Sequence, residues 1–115
     1  MELDFVTVVI MYDALPGKAD VAREELAALI ETVVAKEPAC RGIQLFQGGA
    51  DPHRLLLTEQ WASEAAYTGP HMQTPHLLAF RGRAAGFLAG PPEITFWHPV
   101  ATAEPDPGAE RADLG

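Results

Sequence analysis

"RGIQLFQGGADPHRLLLTEQW", residues 41–61, is the stretch that decides the fold. Its two ends, 41–47 and 54–61, are apolar segments of strand length. The "GGADPH" between them is dense in residues that favour turns. The pattern predicts a β-hairpin. In the second arm Leu55, Leu57, Glu59 and Trp61 share one face, while Leu56, Thr58 and Gln60 share the other, because successive strand side chains alternate.

Upstream of the hairpin, "DFVTVVIMY" (4–12) is rich in β-branched and aromatic residues and reads as a strand. Phe5, Val9 and Met11 lie on one face, and Val6, Val8, Ile10 and Tyr12 on the other, so both faces need cover. "LPGK" breaks this strand. From about Asp20 to Lys36 the period becomes helical, with Leu26, Leu29, Ile30 and Val33 on one side. Asp20 is the N-cap candidate, and Pro38 ends the helix. Downstream, a helix is expected over 74–88 and a final strand over "PPEITFWHP" (91–99). The order β-α-β-β-α-β is that of an α+β, ferredoxin-like fold. Two helices on one face of a four-stranded sheet leave the other face bare, although its strands are apolar there as well. A homodimer with sheets packed face to face is the simplest expectation.

At 115 residues the chain has room for one domain, expected over 1–99. Residues 100–115 carry four acidic residues against Arg111, together with prolines and glycines, and read as a disordered acidic tail. Eight basic and sixteen acidic residues give a net charge of −8, which argues against nucleic acid or an anionic membrane as partner. The apolar runs are too short to span a bilayer, so a soluble cytoplasmic protein is expected. The lone Cys40 excludes an internal disulfide and, at the start of a strand, is assigned to packing.

"TGPHMQTPHLLAF" (68–80) holds two histidines, His71 and His76. Five positions on one helix are about 140° apart, so the imidazoles should diverge, and no metal site is expected. Thr74 is an N-cap candidate, Pro75 suits the first helical position, and His76 at the second stands near the positive end of the helix dipole, which favours neutral imidazole. His71 reads either as a loop residue or as a functional one. In the helix, Leu77, Phe80, Ala84, Phe87 and Leu88 form an apolar stripe, with Arg81 at or within its edge and Arg83 on the opposite side. A guanidinium there snorkels, pairs with Glu59 or meets a ligand.

"VTVVIMYDALPGKAD", "EPACRGIQLFQ", "DPHRLLLTEQWASEAAY" and "HMQTPHLLAF", in this order and spacing, resemble the antibiotic biosynthesis monooxygenase family over roughly residues 5–97. The resemblance implies a dimeric α/β barrel with a pocket between each sheet and its helices. It also implies oxygenation of polycyclic phenols or quinols with molecular oxygen and no cofactor, or haem degradation, although many members have no known activity. Trp61 matches the family tryptophan, and His71 and His76 match its "H…PH" entry to the last helix. Trp61, Tyr67 and Arg81 fall at the spacing of pocket residues in anthrone oxygenases, and Leu57 stands where those carry an asparagine. Ile10, His71 and Arg81 replace the haem-degrading set, so no haem turnover is expected.

The reading that follows is a cofactor-independent monooxygenase acting on an electron-rich phenol, quinol or polyketide-like aromatic. Trp61, Tyr67 and Phe80 bind the ring, Arg81 stabilises phenolate or superoxide, and His71 or His76 takes the proton. The alternatives are a non-catalytic small-molecule binder and a stress protein whose pocket is filled by Phe96 and Trp97.

Overall fold

A computed structural model describes residues 5–105. Four strands, β1 (Val6–Asp13), β2 (Cys40–Gln47), β3 (Arg54–Trp61) and β4 (Glu93–Trp97), form one antiparallel sheet in the order β2-β3-β1-β4. Helix α1 (Ala19–Lys36) follows β1. A short α2 (Glu64–Thr68), a 3-10 turn (Pro70–Gln73) and α3 (Pro75–Ala84) connect β3 to β4. The expected ferredoxin-like order is observed, with two short elements added.

The alternation in the strands sets the layers. Val6, Val8, Ile10 and Tyr12 of β1, and Leu55, Leu57, Glu59 and Trp61 of β3, are all buried on the helix-facing side. The register places Val8 opposite Glu59 and Ile10 opposite Leu57. Helix α1 covers this face through Ala22, Leu26 and Val33, and Leu26 is completely buried. Arg83 on α3 ties the two long helices together from outside, donating to Glu25 at 2.8 Å. The other face presents Val9, Met11, Leu56, Phe46 and Trp97, and no described element covers it. Trp97 is 58% exposed there and donates to Thr95 Oγ1, so it fills no internal pocket.

Several boundaries differ from the expected ones for local reasons. Asp20 is not the N-cap. Lys18 holds that position without a side-chain bond, and Asp20 sits in the first turn, where its charge favours the dipole and pairs with Arg23 at 3.3 Å. The second long helix stops at Ala84 instead of reaching Leu88. Beyond it the backbone turns to bond the end of β1, Leu15 N–H donating to Phe87 O (2.9 Å) and Ala89 N–H to Asp13 O (2.7 Å). Strand β4 is shorter than 91–99, since Pro91, Pro92 and Pro99 lack an amide to give the ladder. Of the expected tail, 101–105 have no regular structure and are exposed, while 106–115 lie outside the described residues. Among the described residues no helix is long and apolar enough to cross a membrane.

The hairpin turn is held by its own polar groups. Gly48 N–H donates to Arg54 O (2.8 Å), Arg54 N–H to Asp51 O (3.0 Å), and Gln47 Nε2 to Pro52 O (2.8 Å). A Cβ added at Gly48 would stand 2.4 Å from Asp51 O, a clash with backbone that only a shift of the turn relieves. Gly48→Ala is expected to destabilise the chain by roughly 2 kcal/mol, read as a lowered urea midpoint at unchanged slope.

Candidate functional site

The sheet and the segment from α2 to β4 enclose a cavity of about 670 Å³. Tyr12 comes from β1, Tyr67 from α2, Leu77, Phe80 and Arg81 from α3, and Ile94 from β4; residues 88–92 close the rim. Phe80 is fixed by edge contacts with Tyr12 (6.4 Å between centroids) and Phe87 (5.7 Å). The lining is apolar except for the two phenols and Arg81, its one charged side chain. Arg81 is solvent-exposed and contacts Met72 Sδ at 3.1 Å. Its expected pairing with Glu59 does not form, and it lies instead at the cavity's edge, as snorkelling predicts. Burial, with the Glu59 charge adding to it, pushes Tyr12 up to about 12 and raises Tyr67 as well, while Arg81 works in the opposite direction. Both phenols therefore stay protonated.

Behind Tyr67 lies a second cluster. Trp61, 1% exposed at the end of β3, packs edge-on against Tyr67 (5.7 Å) and against the His71 ring (4.6 Å). His71 also meets Tyr67 at 5.1 Å, and Phe96 closes on Tyr67 at 5.7 Å. His71 Nδ1 lies 2.9 and 3.0 Å from the two oxygens of Glu37, the residue that ends α1. His76 Nε2 lies 2.5 Å from Glu37 Oε2. One carboxylate thus holds both imidazoles.

That convergence corrects the helical-spacing argument. His71 is in the 3-10 turn, Thr74 is extended (φ −71°, ψ 144°), and only then does α3 begin with Pro75 at its first position and His76 at its second. The five-residue step is therefore not traversed on one helix, and the two rings turn back to a common partner. Thr74 is the N-cap by position, but its hydroxyl donates to His71 O (2.9 Å) and caps nothing. Glu37 stands 34 and 39 residues from its partners, and no local signal in the sequence points to it. His71 is not a loop residue open to solvent, being 4% exposed. Burial lowers its proton affinity, with Glu37 pulling in the opposite direction.

Tyr67, Phe80 and Arg81 therefore meet at the cavity, whereas Trp61, His71 and His76 form the adjoining cluster and do not line it. Glu59 was legible as an acidic residue in an inward-facing series, yet only as a partner for Arg81. It is 4% exposed, and its Oε1 accepts from Trp61 Nε1 at 2.8 Å. Burial pushes it from the ordinary 4.5 up to about 7; the Trp61 bond acts against this and the Glu37 charge with it. Cys40 is buried in the core at the start of β2, and burial raises its thiol to about 11, so it is unreactive packing. Among the described residues no group of three or more His, Cys, Asp and Glu side chains is arranged to hold a metal.

Residues 5–83 match the family model described as antibiotic biosynthesis monooxygenase. No curated protein matches the chain. Among solved structures, Rv0793 from Mycobacterium tuberculosis is 26% identical, with 87% of this chain and 99% of that one covered at a TM-score of 0.74. PA3566 from Pseudomonas aeruginosa is 27% identical over 88% and 100%, at 0.76. NE2512 from Nitrosomonas europaea, a protein of unknown function, is 20% identical over 92% and 99%, at 0.75, a likeness of fold alone.

The two buried titrating groups act on stability from opposite sides. His71 binds its proton less tightly folded than unfolded, so its contribution is complete above the ordinary 6.5 and is lost as pH falls below it. Glu59 binds its proton more tightly folded, so its contribution is complete below 4.5 and is lost as pH rises through about 7. Between 4.5 and 6.5 the two act against each other, so thermal unfolding should show no sharp maximum there, and stability should fall between 6.5 and about 7, where Glu59 alone still titrates against the fold. Glu59→Gln is expected to remove the loss that builds between 4.5 and about 7, about 3 kcal/mol in order of magnitude, so that stability rises with pH up to 6.5 through His71 alone.

Proposed function

Because the chain belongs to the antibiotic biosynthesis monooxygenase family, we propose that it oxygenates an electron-rich phenol or hydroquinone with molecular oxygen and without a bound cofactor. The observation that supports this reading most is the cavity itself: apolar, aromatic-walled and edged by the single guanidinium of Arg81. Ground-state dioxygen accepts electrons one at a time, and a phenolate is a far better one-electron donor than a phenol. A site for this chemistry must therefore hold an aromatic ring away from water and favour its anion. Phe80 and the Tyr67 ring offer stacking surface. Arg81 opposes a developing phenolate, and then superoxide, from the cavity's edge.

In the proposed reaction the phenolate passes one electron to O₂, and the resulting radical and superoxide combine at a ring carbon bearing hydrogen. The peroxide then loses its outer oxygen as water. One oxygen atom enters the ring as a carbonyl, the second leaves as H₂O, and the substrate supplies both hydrogens and all the electrons. His71 and His76 are assigned a positioning role. By binding Glu37 they hold the segment that carries Tyr67, Phe80 and Arg81 against α1.

The test is oxygen uptake with a panel of anthrones, naphthols and hydroquinones, with ¹⁸O₂ label followed into product. Arg81→Gln, at an exposed position, should leave folding unchanged and lower kcat/KM by about tenfold or more, and Arg81→Lys should recover part of the loss. Ring ligands that bind, as read by tryptophan fluorescence, without oxygen uptake would replace this reading with that of a small-molecule binder.

We also propose that the uncovered sheet face is closed by a second copy of the chain. Its central positions, Val9, Met11, Phe46, Leu56, Thr58 and Trp97, carry no charge, and Asp13, Arg54 and Glu93 stand at its ends. On a chain of net charge −8, a neutral apolar face is where two copies approach with least repulsion. Light scattering should give twice the monomer mass at micromolar concentration, and Phe46→Asp should halve it. A monomeric wild-type chain would remove the proposal.

A further inference from the structure

Tyr12 is the polar residue of the cavity wall that the preceding chemistry leaves without a task. It is the last inward-facing residue of β1 and stands opposite Leu55 on β3. The ladder between β1 and β4 ends one residue earlier, at Met11 and Glu93. Pro91 and Pro92, which have no amide to extend it, line the cavity together with Tyr12. The start of β4 thus leaves room beside the Tyr12 side chain. Tyr12 is 7% exposed and Tyr67 5%, yet neither hydroxyl has a hydrogen-bond partner among the described residues. Neither is sealed off in protein, since the buried, unpartnered side-chain atom there is His53 Nε2. A phenol hydroxyl taken from water without a partner costs free energy, and both residues line the cavity, so a ligand in it can supply what they lack. The side chains of the lining hold three donors, Tyr12, Tyr67 and Arg81, and no carboxylate, amide or imidazole. Burial keeps both phenols protonated and therefore able to donate.

We infer that Tyr12 is a specificity-determining residue of the cavity: its hydroxyl donates to a ketone oxygen of the ligand, at a different point of the ring system from the phenol oxygen that faces Arg81. A ketone oxygen accepts and has no proton of its own to place, which suits a lining made of donors. Its two lone pairs leave room for a second bond, from Tyr67. A ring without this oxygen leaves the Tyr12 hydroxyl unpartnered, and a buried polar group left unpaired discriminates between ligands more sharply than apolar contact does. Tyr12 stands on the sheet and Arg81 on α3 at the cavity's edge, so the two polar contacts fix the orientation of a flat ring that the apolar walls alone would let turn. The inference rests on the phenol-binding reading of the cavity and is independent of what oxygen does afterwards.

The test compares two probes that differ only in the ketone, 7-hydroxy-1-tetralone and 5,6,7,8-tetrahydro-2-naphthol, by calorimetry near pH 7, where both phenols are neutral. The wild-type chain is expected to bind the ketone about fivefold more tightly, the fold-change of one net hydrogen bond. Tyr12→Phe keeps the ring that packs edge-on against Phe80. It should weaken the ketone by about fivefold and leave the other probe within about twofold. The infrared C=O stretch of the bound ketone should move to lower wavenumber in the wild-type chain and return in Tyr12→Phe, a change that loss of packing alone does not produce. Equal affinity of the wild-type chain for the two probes, or equal weakening of both by Tyr12→Phe, would overturn the assignment and leave the phenol site standing. A lowered stretch that persists in Tyr12→Phe gives the bond to another donor and overturns it as well. Should Tyr12→Phe not fold, the wild-type infrared spectrum decides, and an unshifted band overturns the inference. Failure of both probes to bind overturns the phenol reading and this inference with it, whereas ketone selectivity without oxygen uptake supports the inference and removes only the oxygenase chemistry.

Discussion

A single carboxylate, Glu37, determines where the helical wall of the cavity stands. It ends α1, a helix already fixed to the sheet by Ala22, Leu26 and Val33, and it meets both His71 and His76. The segment between β3 and α3 is made of one short helix and a 3-10 turn, elements too brief to be stable by themselves. Its position is therefore set by what it touches. Two imidazoles on one half-buried carboxylate, with Trp61 and Tyr67 packed at a tilt against the His71 ring, supply that restraint. Tyr67 and the start of α3 follow from it, and so do Phe80 and Arg81 one and a half turns later.

The distribution of charge around the cavity follows a related logic. On the sheet side stands an acid without a cation, Glu59; on the helix side stands a cation whose only partner among the described residues is a thioether, Arg81 with Met72. Pairing the two would satisfy both and leave nothing for a ligand. The two do not meet: Arg81 stands at the cavity's edge against Met72, and Glu59 lies outside the lining, bonded to Trp61. Tyr12 and Tyr67, held protonated by burial, add hydroxyls to the cavity lining without adding charge.

The parts legible in the sequence are those governed by repeating geometry. Alternation in residues 54–61 put Glu59 and Trp61 on one face with Leu55 and Leu57, the face that is buried, and the 3.6-residue period of 20–36 found α1, because both patterns are imposed by burial along a regular element. The same reasoning misplaced what depends on irregular backbone. His71 and His76 were expected to diverge, by helical rotation or because Pro75 sets them on different local structures; they do stand on a 3-10 turn and on α3, separated by an extended Thr74, yet they converge on Glu37. Helix α2 has five residues, too few to show a period, and its cap bond from Ala66 N–H to Ser63 Oγ was the only local cue. The C-terminal end of α3 was overextended because Phe87 and Leu88 continue the apolar stripe; they are indeed buried, but from a turn that bonds the end of β1. Burial was read correctly there and conformation was not.

Strand β3 shows how the two faces of the sheet are coupled. Leu57, Glu59 and Trp61 enter the core and the site, while Leu56, Thr58 and Gln60, interleaved with them, belong to the open face. A one-residue slip would exchange the two sets, placing Glu59 and Trp61 on the outer face and leaving Tyr67 and His71 without their contact surface. The register is protected on both sides by antiparallel pairing, Trp61 lying opposite Val6 on β1 and Cys40 on β2. The bulge between Cys40 and Gly42 falls at the edge of this region, on β2. Any partner that settles on the outer face presses on the backbone of the same strand that carries Glu59. The inner and outer faces of the sheet are thus built from alternate residues of one strand.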